Sequence, residues 1–204
     1  AASKFLKLIG DLDIKKITPT LGAEQEYFLI DSHYVARRPD LLLCGKTLQG
    51  APASKGQQLS DHYFGSIPNR VVAFMEDAES ELFRLGVPVK TRHNEVAPSQ
   101  FEMAPIFEDV TLAADHNTLA METMRHVAKQ HGLFCIFDEK PFAGLNGTGK
   151  HCNWSARNDK GENLLEPGKT PHQNLRFLTM VAVICHAVYN HSATLRASIA
   201  SPGN

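Results

Sequence analysis

Two glutamates lie two positions apart in the segment GAEQEYFLI, residues 22–30. The alternation of polar and apolar residues there predicts a β-strand, in which Glu24 and Glu26 point to the same face. Their Cα atoms would then be about 6–7 Å apart. Such a pair can bind a cation, although an isolated pair of this kind is more often part of a solvated strand face.

A second pair of glutamates, Glu95 and Glu102, flanks a proline in RHNEVAPSQFEMAP, residues 92–105. Pro98 cannot continue a central strand, so we expect the chain to bend there. If the flanking segments lie side by side, the two carboxylates converge among apolar neighbours. Buried carboxylates repel one another and are costly to desolvate unless cations lie between them. All-oxygen sites of this kind suit Mg²⁺ or Mn²⁺.

A histidine follows a glycine-rich loop and opens the alternating segment HCNWS. On a strand, His151, Asn153 and Ser155 share one polar face, and Cys152 and Trp154 pack behind it. A lone histidine is more often structural, but one beside four carboxylates would complete a two-metal site. Two other pairs of histidines lie in helical segments, with the members of each pair five residues apart. Neither pair matches a zinc motif, and all four are interpreted as structural. They are His126, His131, His186 and His191.

The loop before His151, in KPFAGLNGTGKHCNWS (140–155), is similar in spacing to the phosphate-binding motif G-x-x-x-x-G-K-[ST]. The eighth position, however, is His151 rather than a hydroxyl residue. A phosphate-binding loop also lies between a parallel strand and a helix, whereas this loop leads into a predicted strand. We therefore reject that interpretation. The glycines are expected to let the backbone and Asn146 approach a small substrate.

Helices and further strands must position these residues. The predicted helices cover residues 3–10, 66–86, 109–131 and the region from 170 onward. Ser66 is the expected N-cap of the second helix, and Gly86 and Gly132 are expected to end the second and third. The last helix carries an apolar stripe from Leu175 to Cys185.

The order of predicted elements is strand, helix, strand pair, helix, strand, helix. This order predicts an α+β fold with a mainly antiparallel sheet. Residues 1–20 are expected to form a helical lead-in. Residues 31–65 are long and irregular, which is typical of a functional loop or an interface arm.

The composition is that of an ordinary globular protein. The chain has 204 residues, 43% hydrophobic and 21% charged, enough for one domain with a buried core. A formal net charge of -1 argues against nucleic acid or acidic membranes as partners. No apolar run approaches the roughly 20 residues of a membrane span. Four separated cysteines and no signal peptide predict free thiols and a cytoplasmic location.

Together, five segments resemble glutamine synthetase, and in particular its long bacterial type III. They are GAEQEYFLID (22–31), KGQQLSDHYFGSIP (55–68), RHNEVAPSQFEMAP (92–105), KPFAGLNGTGKHCNWS (140–155) and LRASIASPGN (195–204). The likeness extends from about Ala2 to Asn204. It implies a curved, mainly antiparallel sheet packed by helices, in which residues 21–204 are the N-terminal part of the catalytic domain.

The resemblance implies a role for each candidate residue. Glu26, Glu95 and Glu102 match ligands of the metal nearer the substrates. Glu24 and His151 match ligands of the metal nearer the ATP phosphates, and His151 and Glu26 are the implied catalytic residues. The implied substrate contacts are Asn146 and Gly147 for the amino acid, and Asn153 and Ser155 for ATP.

The family's reaction joins glutamate and ammonia. The side-chain carboxylate of glutamate attacks the γ-phosphate of ATP, and ammonia then displaces phosphate from γ-glutamyl phosphate to give glutamine. Two divalent cations, Mg²⁺ or Mn²⁺, bridge and orient the anions. The resemblance also implies a homo-oligomer, a dodecamer of two hexameric rings.

Some of the family's parts have no counterpart in the sequence. They are an N-terminal β-grasp domain and, downstream, substrate-binding arginines, a loop glutamate that helps to deprotonate ammonium and a further metal-binding glutamate. We therefore expect the chain to be a piece of a longer polypeptide and inactive on its own.

Three other functions are compatible with part of this residue set. A γ-glutamyl-amine ligase would have the same metal and ATP residues, because it differs in the ammonia pocket. A catalytically inactive structural relative would be favoured by loss of a ligand residue, and none is lost. A nuclease or phosphatase predicts a basic substrate face, and the sequence has no clustered Lys/Arg stripe.

Overall fold

The computed structural model describes residues 2–199. Its six strands are β1 Ile17–Asp31, β2 Val89–Asn94, β3 Gln100–Pro105, β4 Glu108–Asp109, β5 Leu133–Ile136 and β6 Lys150–Asn158. The helices are α1 Ala2–Leu8, α2 Ser32–Val35, α3 Pro39–Cys44, α4 Asn69–Arg84, α5 Val110–Gln130, α6 Leu175–Asn190 and α7 Ser192–Ala197. The strands form one sheet with antiparallel pairing throughout. The predicted α+β fold with a mainly antiparallel sheet is confirmed.

β1 is the central strand and pairs with four others. Phe28 lies opposite Gln100 of β3 and Ile136 of β5, so these two strands flank β1 on opposite edges. The same holds at Thr20 for β4 and β6. Because β1 is 15 residues long, each of its edges has room for two partners in succession.

The main core lies between one face of the sheet and the helices α4 and α5. Tyr27 and Leu29 of β1 are buried there against Phe74 of α4 and Met124 of α5. Side chains alternate along a strand, so the even-numbered residues of β1, including Glu24 and Glu26, point to the opposite face. The helices therefore cover one face and leave the other for the candidate site.

The two long central helices end where the sequence predicts. Gly86 and Gly132 follow α4 and α5 with φ angles of +83° and +64°, a left-handed conformation that glycine adopts without strain. The prediction of Ser66 as the N-cap of α4 is wrong. Pro68 occupies that position with an extended ψ of 141° and no side-chain cap, which leaves Ser66 outside the helix.

Residues 31–65 contain more regular structure than the sequence predicts, namely α2, α3 and a 3₁₀ turn at Gln58–Ser60. The carboxylate of Asp40 organises the middle of this segment. It accepts hydrogen bonds from the Arg38 guanidinium at 2.6 Å and from the Leu48 backbone N–H at 2.8 Å. The ion pair between Arg38 and Asp40 thus holds the loop that contains Leu48. Secondary-structure propensity alone does not predict this contact.

The last predicted helix begins later than expected. Pro171–Gln173 forms a 3₁₀ turn, and α6 follows Asn174, whose side chain accepts a hydrogen bond from the Phe177 N–H at 3.1 Å. None of the residues of α6 is buried. The apolar stripe predicted from Leu175 to Cys185 is therefore not covered by the described part of the chain.

The predicted division of the chain is only partly visible. The lead-in expected over residues 1–20 contains α1, but β1 already begins at Ile17. Residues 200–204, the end of the segment 195–204, lie outside the described residues. The assignment of 21–204 to the N-terminal part of a catalytic domain stays a prediction. Within the described range, no helix has the length and apolar character needed to cross a membrane.

Candidate functional site

Strand pairing brings four of the candidate residues onto the open face of the sheet. Glu26 of β1 lies opposite Glu102 of β3, and Glu24 lies opposite His151 of β6. Side chains directly opposite in antiparallel strands share a face, and Glu24 and Glu26 share it because they are two apart. With Glu95, which follows β2, we name these residues the carboxylate–histidine cluster: Glu24, Glu26, Glu95, Glu102 and His151.

Glu24 and His151 form the exposed end of the cluster. Nδ1 of His151 lies 2.9 Å from Oε2 of Glu24, and the Asn153 amide donates to Oε1 of Glu24 at 2.7 Å. The first contact raises the pKa of His151, because the carboxylate favours the protonated imidazole. Three possible ligand atoms lie within 4.8 Å of one another, one from each of Glu24, Glu102 and His151. A single cation can be reached by all three.

Glu95 and Glu102 form the buried end. β2 and β3 pair as an antiparallel hairpin, and the turn between them contains Pro98 and Ser99, whose φ of +61° is rare for a residue with a side chain. The expected bend is therefore present. It places the carboxylate of Glu95 beside that of Glu102, with an imidazole between them.

That imidazole belongs to His93, which the sequence analysis did not single out. Its Nε2 lies 3.1 Å from Oε1 of Glu102 and its Nδ1 lies 3.7 Å from Oε1 of Glu95. The three residues form a second group with ligand atoms within 4.8 Å. The signal was present, since His93 and Glu95 have the same two-residue spacing as Glu24 and Glu26. Of the histidines interpreted as structural, His131 contacts Asp77 at 2.8 Å.

Glu26 is held by the loop that precedes β6. Its Oε2 accepts hydrogen bonds from the Gly149 N–H at 2.6 Å and from the Gln100 amide at 3.1 Å. A Cβ at Gly149 would lie 3.3 Å from the Glu26 carboxylate, so glycine lets the loop backbone lie against it. Both ligand groups contain Glu102 and neither contains Glu26. The expected set of Glu26, Glu95 and Glu102 stays a prediction.

The buried end disfavours negative charge. Burial raises the pKa of Glu102 from its usual 4.5 to about 7, and the negative charge of Glu24 adds to the shift. Burial, followed by the charge of Glu26, also raises the pKa of Glu95. A divalent cation would supply the compensating positive charge. The carboxylate oxygens of the cluster are donors that fit Mg²⁺ or Mn²⁺.

A cleft of about 420 Å³ lies beside the buried end, and we name it the glycine-loop cleft. Asn146 and Gly147 line it together with two of the cluster carboxylates. The Asn146 backbone N–H donates to the Gln57 side chain at 2.7 Å, and a Cβ at Gly147 would collide with the Glu139 carbonyl. The loop then leads into β6, antiparallel to β1, which agrees with rejecting a phosphate-binding loop.

A second cleft, of about 620 Å³, lies beside the exposed end, and we name it the strand-end cleft. Asn153 and Ser155 line it, as do the aromatic rings of Phe107 and Trp154. The Ser155 hydroxyl donates to the Asn163 side chain at 2.6 Å. Trp154, predicted to pack behind β6, is instead half exposed. The volume lies in the range of small-molecule and cofactor pockets.

A family model described as glutamine synthetase, catalytic domain, matches residues 2–201. The chain belongs to this family. The resemblance found in the sequence is therefore confirmed across nearly the whole chain. The site geometry described above lies entirely within the matched part of this glutamine synthetase domain.

Its relatives include long glutamine synthetases. The chain is 55% identical over 190 residues to the type-3 glutamine synthetase of Dictyostelium discoideum and 53% identical over 203 residues to the glutamine synthetase of Butyrivibrio fibrisolvens. The alignments cover 93% and 100% of this chain but 26% and 29% of those proteins. The chain therefore spans less than a third of the length of these relatives.

Solved structures agree with the fold. A structure of apo GmaS is 29% identical with a TM-score of 0.58, covering 74% of this chain and 32% of that one. A GmaS/ADP complex is 27% identical with a TM-score of 0.58, covering 81% of this chain and 34% of that one. The glutamine synthetase domain thus shares its fold with both over most of its length.

Proposed function

We propose that this domain is part of an ATP-dependent ligase that forms L-glutamine from L-glutamate and ammonia through γ-glutamyl phosphate. The observation that carries the proposal is the convergence of the carboxylate–histidine cluster on one sheet face, with a cleft at each end. The family match and the identity to named glutamine synthetases support it.

The cluster would hold two divalent cations, Mg²⁺ or Mn²⁺. We assign Glu26, Glu95 and Glu102 to the metal beside the amino acid and Glu24 and His151 to the metal beside the nucleotide. The raised pKa values of two buried carboxyls support a cation at this position. When bound, the cations draw two anionic reactants together and stabilise the charge of phosphoryl transfer.

The two clefts would bind different substrates. We assign glutamate to the glycine-loop cleft, where Asn146 and Gly147 lie, and ATP to the strand-end cleft, where Asn153 and Ser155 lie. The larger cleft offers aromatic surface for a nucleotide base. A structural neighbour, GmaS, was solved with ADP, which supports nucleotide binding in this fold.

Glu26 and His151 are the proposed catalytic residues. His151 lines the glycine-loop cleft and contacts Glu24, which lines the strand-end cleft. It therefore lies at the junction that the phosphoryl group would cross between ATP and glutamate. Glu26 lines the glycine-loop cleft with its carboxylate fixed by two hydrogen bonds, so without reorganising it could hold a cation beside the reacting carboxylate of glutamate.

We further propose that the full-length protein works in the cytoplasm as a homo-oligomer, a dodecamer of two hexameric rings. Family membership supports this assembly. Light scattering of the full-length protein would measure its mass, and a monomer at working concentration would contradict it.

The proposed function is tested on the full-length protein with ATP, Mg²⁺ and glutamate. Phosphate release and glutamine formation are followed with ammonium, with methylamine, and with neither. We expect release that depends on ammonium and that stops when a chelator removes the metal. Release that depends on the amine instead would show a γ-glutamyl-amine ligase, and no release with either nitrogen source would indicate an inactive relative.

A further inference from the structure

Gln100 joins parts of the site that come from distant segments of the chain. It is the first residue of β3 and is 1% exposed. Its amide nitrogen donates to Oε2 of Glu26 at 3.1 Å and to the Gly147 carbonyl at 2.7 Å. Its amide oxygen accepts from the Ala97 N–H at 3.1 Å. Both amide hydrogens and the carbonyl are therefore engaged.

These bonds fix the orientation of a buried side chain. Rotating the Gln100 amide would leave buried donors and acceptors unpaired, each costing about 1–3 kcal/mol. One bond reaches a candidate metal ligand, one reaches the loop assigned to glutamate, and one reaches the turn that follows Glu95. A displacement of the Gly147 carbonyl is therefore passed to the Glu26 carboxylate through a single rigid group.

We propose that Gln100 is a positioning residue that couples the amino-acid loop to the metal carboxylate Glu26. The proposal rests on the proposed function, because that function assigns the loop to glutamate and Glu26 to a metal. Gln100 also lines the glycine-loop cleft, but in this role it acts through Glu26 and Gly147 and is not itself a metal ligand. Residues that orient a metal ligand from behind typically contribute about 10–100-fold to metal affinity or activity.

Gln25 provides a matched control. It is 2% exposed, and its amide donates to the backbone carbonyl of Glu26 at 2.7 Å. It precedes Glu26 in β1, so its side chain points to the opposite face of the sheet. Gln25→Met therefore removes a buried hydrogen bond next to Glu26 without touching the carboxylate or the glycine loop.

The test uses the full-length protein and three measurements: the Mn²⁺ dissociation constant by calorimetry, the KM for glutamate, and the unfolding temperature. We expect Gln100→Met to weaken Mn²⁺ binding about tenfold or more and to raise the KM for glutamate. Gln25→Met should lower the unfolding temperature similarly and leave the other two values unchanged. Equal changes in both variants, or no change in Gln100→Met, would overturn the proposal.

If the Gln100→Met variant does not fold, the same measurements are made on Gln100→Glu. The carboxylate keeps the volume and the acceptor for the Ala97 N–H, but it cannot donate to Glu26 or Gly147 when ionised. A raised KM for glutamate is expected, and an unchanged one overturns the coupling. Failure of the proposed function would give a different result: the wild-type protein would make no glutamine. The Mn²⁺ dissociation constants of the wild type and the Gln100 variants would still test the role of Gln100.

Discussion

The two ends of the carboxylate–histidine cluster use similar side chains in different surroundings. At the buried end, the side chains of Glu102 and Glu95 are 7% and 14% exposed. At the exposed end, those of Glu24 and His151 are 31% and 66% exposed. Burial is the main cause of the raised pKa at the first end, whereas a hydrogen bond is the main cause at His151. We therefore expect the folding stability of the buried end, rather than that of the exposed end, to depend on a bound cation.

The largest effect is expected from removing a carboxylate at the buried end. Glu102→Ala or Glu95→Ala should abolish glutamine synthesis. The loss of activity should exceed about a hundredfold, because residues that only support a metal ligand typically contribute up to about that factor. The fold should persist, because like-charge repulsion is relieved. Glutamine formation and circular dichroism of the full-length variants measure the two outcomes. Activity near that of the wild type would rule out the ligand assignment.

The next effect concerns pH in the metal-free protein. The pKa of Glu102 in the folded state, about 7, lies above its usual 4.5. The folded state thus holds this proton more tightly than the unfolded chain, so its contribution to stability is complete below pH 4.5 and is lost as pH rises through 7. At about 1.4 kcal/mol per pKa unit, the loss can reach about 3 kcal/mol.

Urea unfolding with a chelator present, at pH 5 and pH 8, measures this loss. Glu102→Gln should flatten the pH dependence, since the amide does not titrate. Saturating Mg²⁺ should also flatten it, because the cation compensates the ionised carboxylate. An identical pH slope in the wild type and in Glu102→Gln would place the titrating group elsewhere.

A smaller effect is expected at the exposed end. Glu24→Ala should raise the Mg²⁺ concentration needed for half-maximal activity while changing the free energy of unfolding by no more than about 0.5 kcal/mol, as for other surface positions. Glu122→Ala, which removes an exposed glutamate of α5, is the control and should change neither. A large loss of stability in Glu24→Ala would show that the two ends do not differ as described.

The smallest effect concerns the strand-end cleft. Ser155→Ala removes the hydroxyl that bonds Asn163. In the proposed complex this hydroxyl would bond ATP instead; loss of one neutral hydrogen bond is worth about 1 kcal/mol, so the KM for ATP should rise about fivefold. The KM for glutamate should stay the same, because glutamate is assigned to the other cleft. Initial-rate kinetics with each substrate varied in turn would separate the two.

Local patterns predicted much of the structure that carries the cluster. The alternation in residues 22–30 places Glu24 and Glu26 on one face of β1, and glycines at 86 and 132 mark the ends of α4 and α5. These features depend on side-chain periodicity and backbone conformation, which the sequence states directly. Family resemblance, rather than periodicity, supplied the roles assigned to the cluster.

The missed features depend on contacts between distant segments. Gln100 and Glu26 are 74 positions apart, and their hydrogen bond exists only in one register of β1 and β3. Register is fixed by packing and turn geometry rather than by the local pattern. The incorrect Ser66 cap has a different cause, because Pro68 sets an extended backbone just before α4 and overrides a favourable capping residue.

The central position of β1 also imposes an order of assembly on the emerging chain. Glu26 meets Gln100 across 74 positions, but Glu24 meets His151 only across 127. Domains generally fold as units during synthesis, so the carboxylate–histidine cluster is complete only after β6 has left the ribosome. A nascent chain paused between Pro105 and Lys150 would contain all four glutamates of the cluster without the imidazole of His151, and the part of β1 that pairs with β6 would still be a free strand edge open to aggregation.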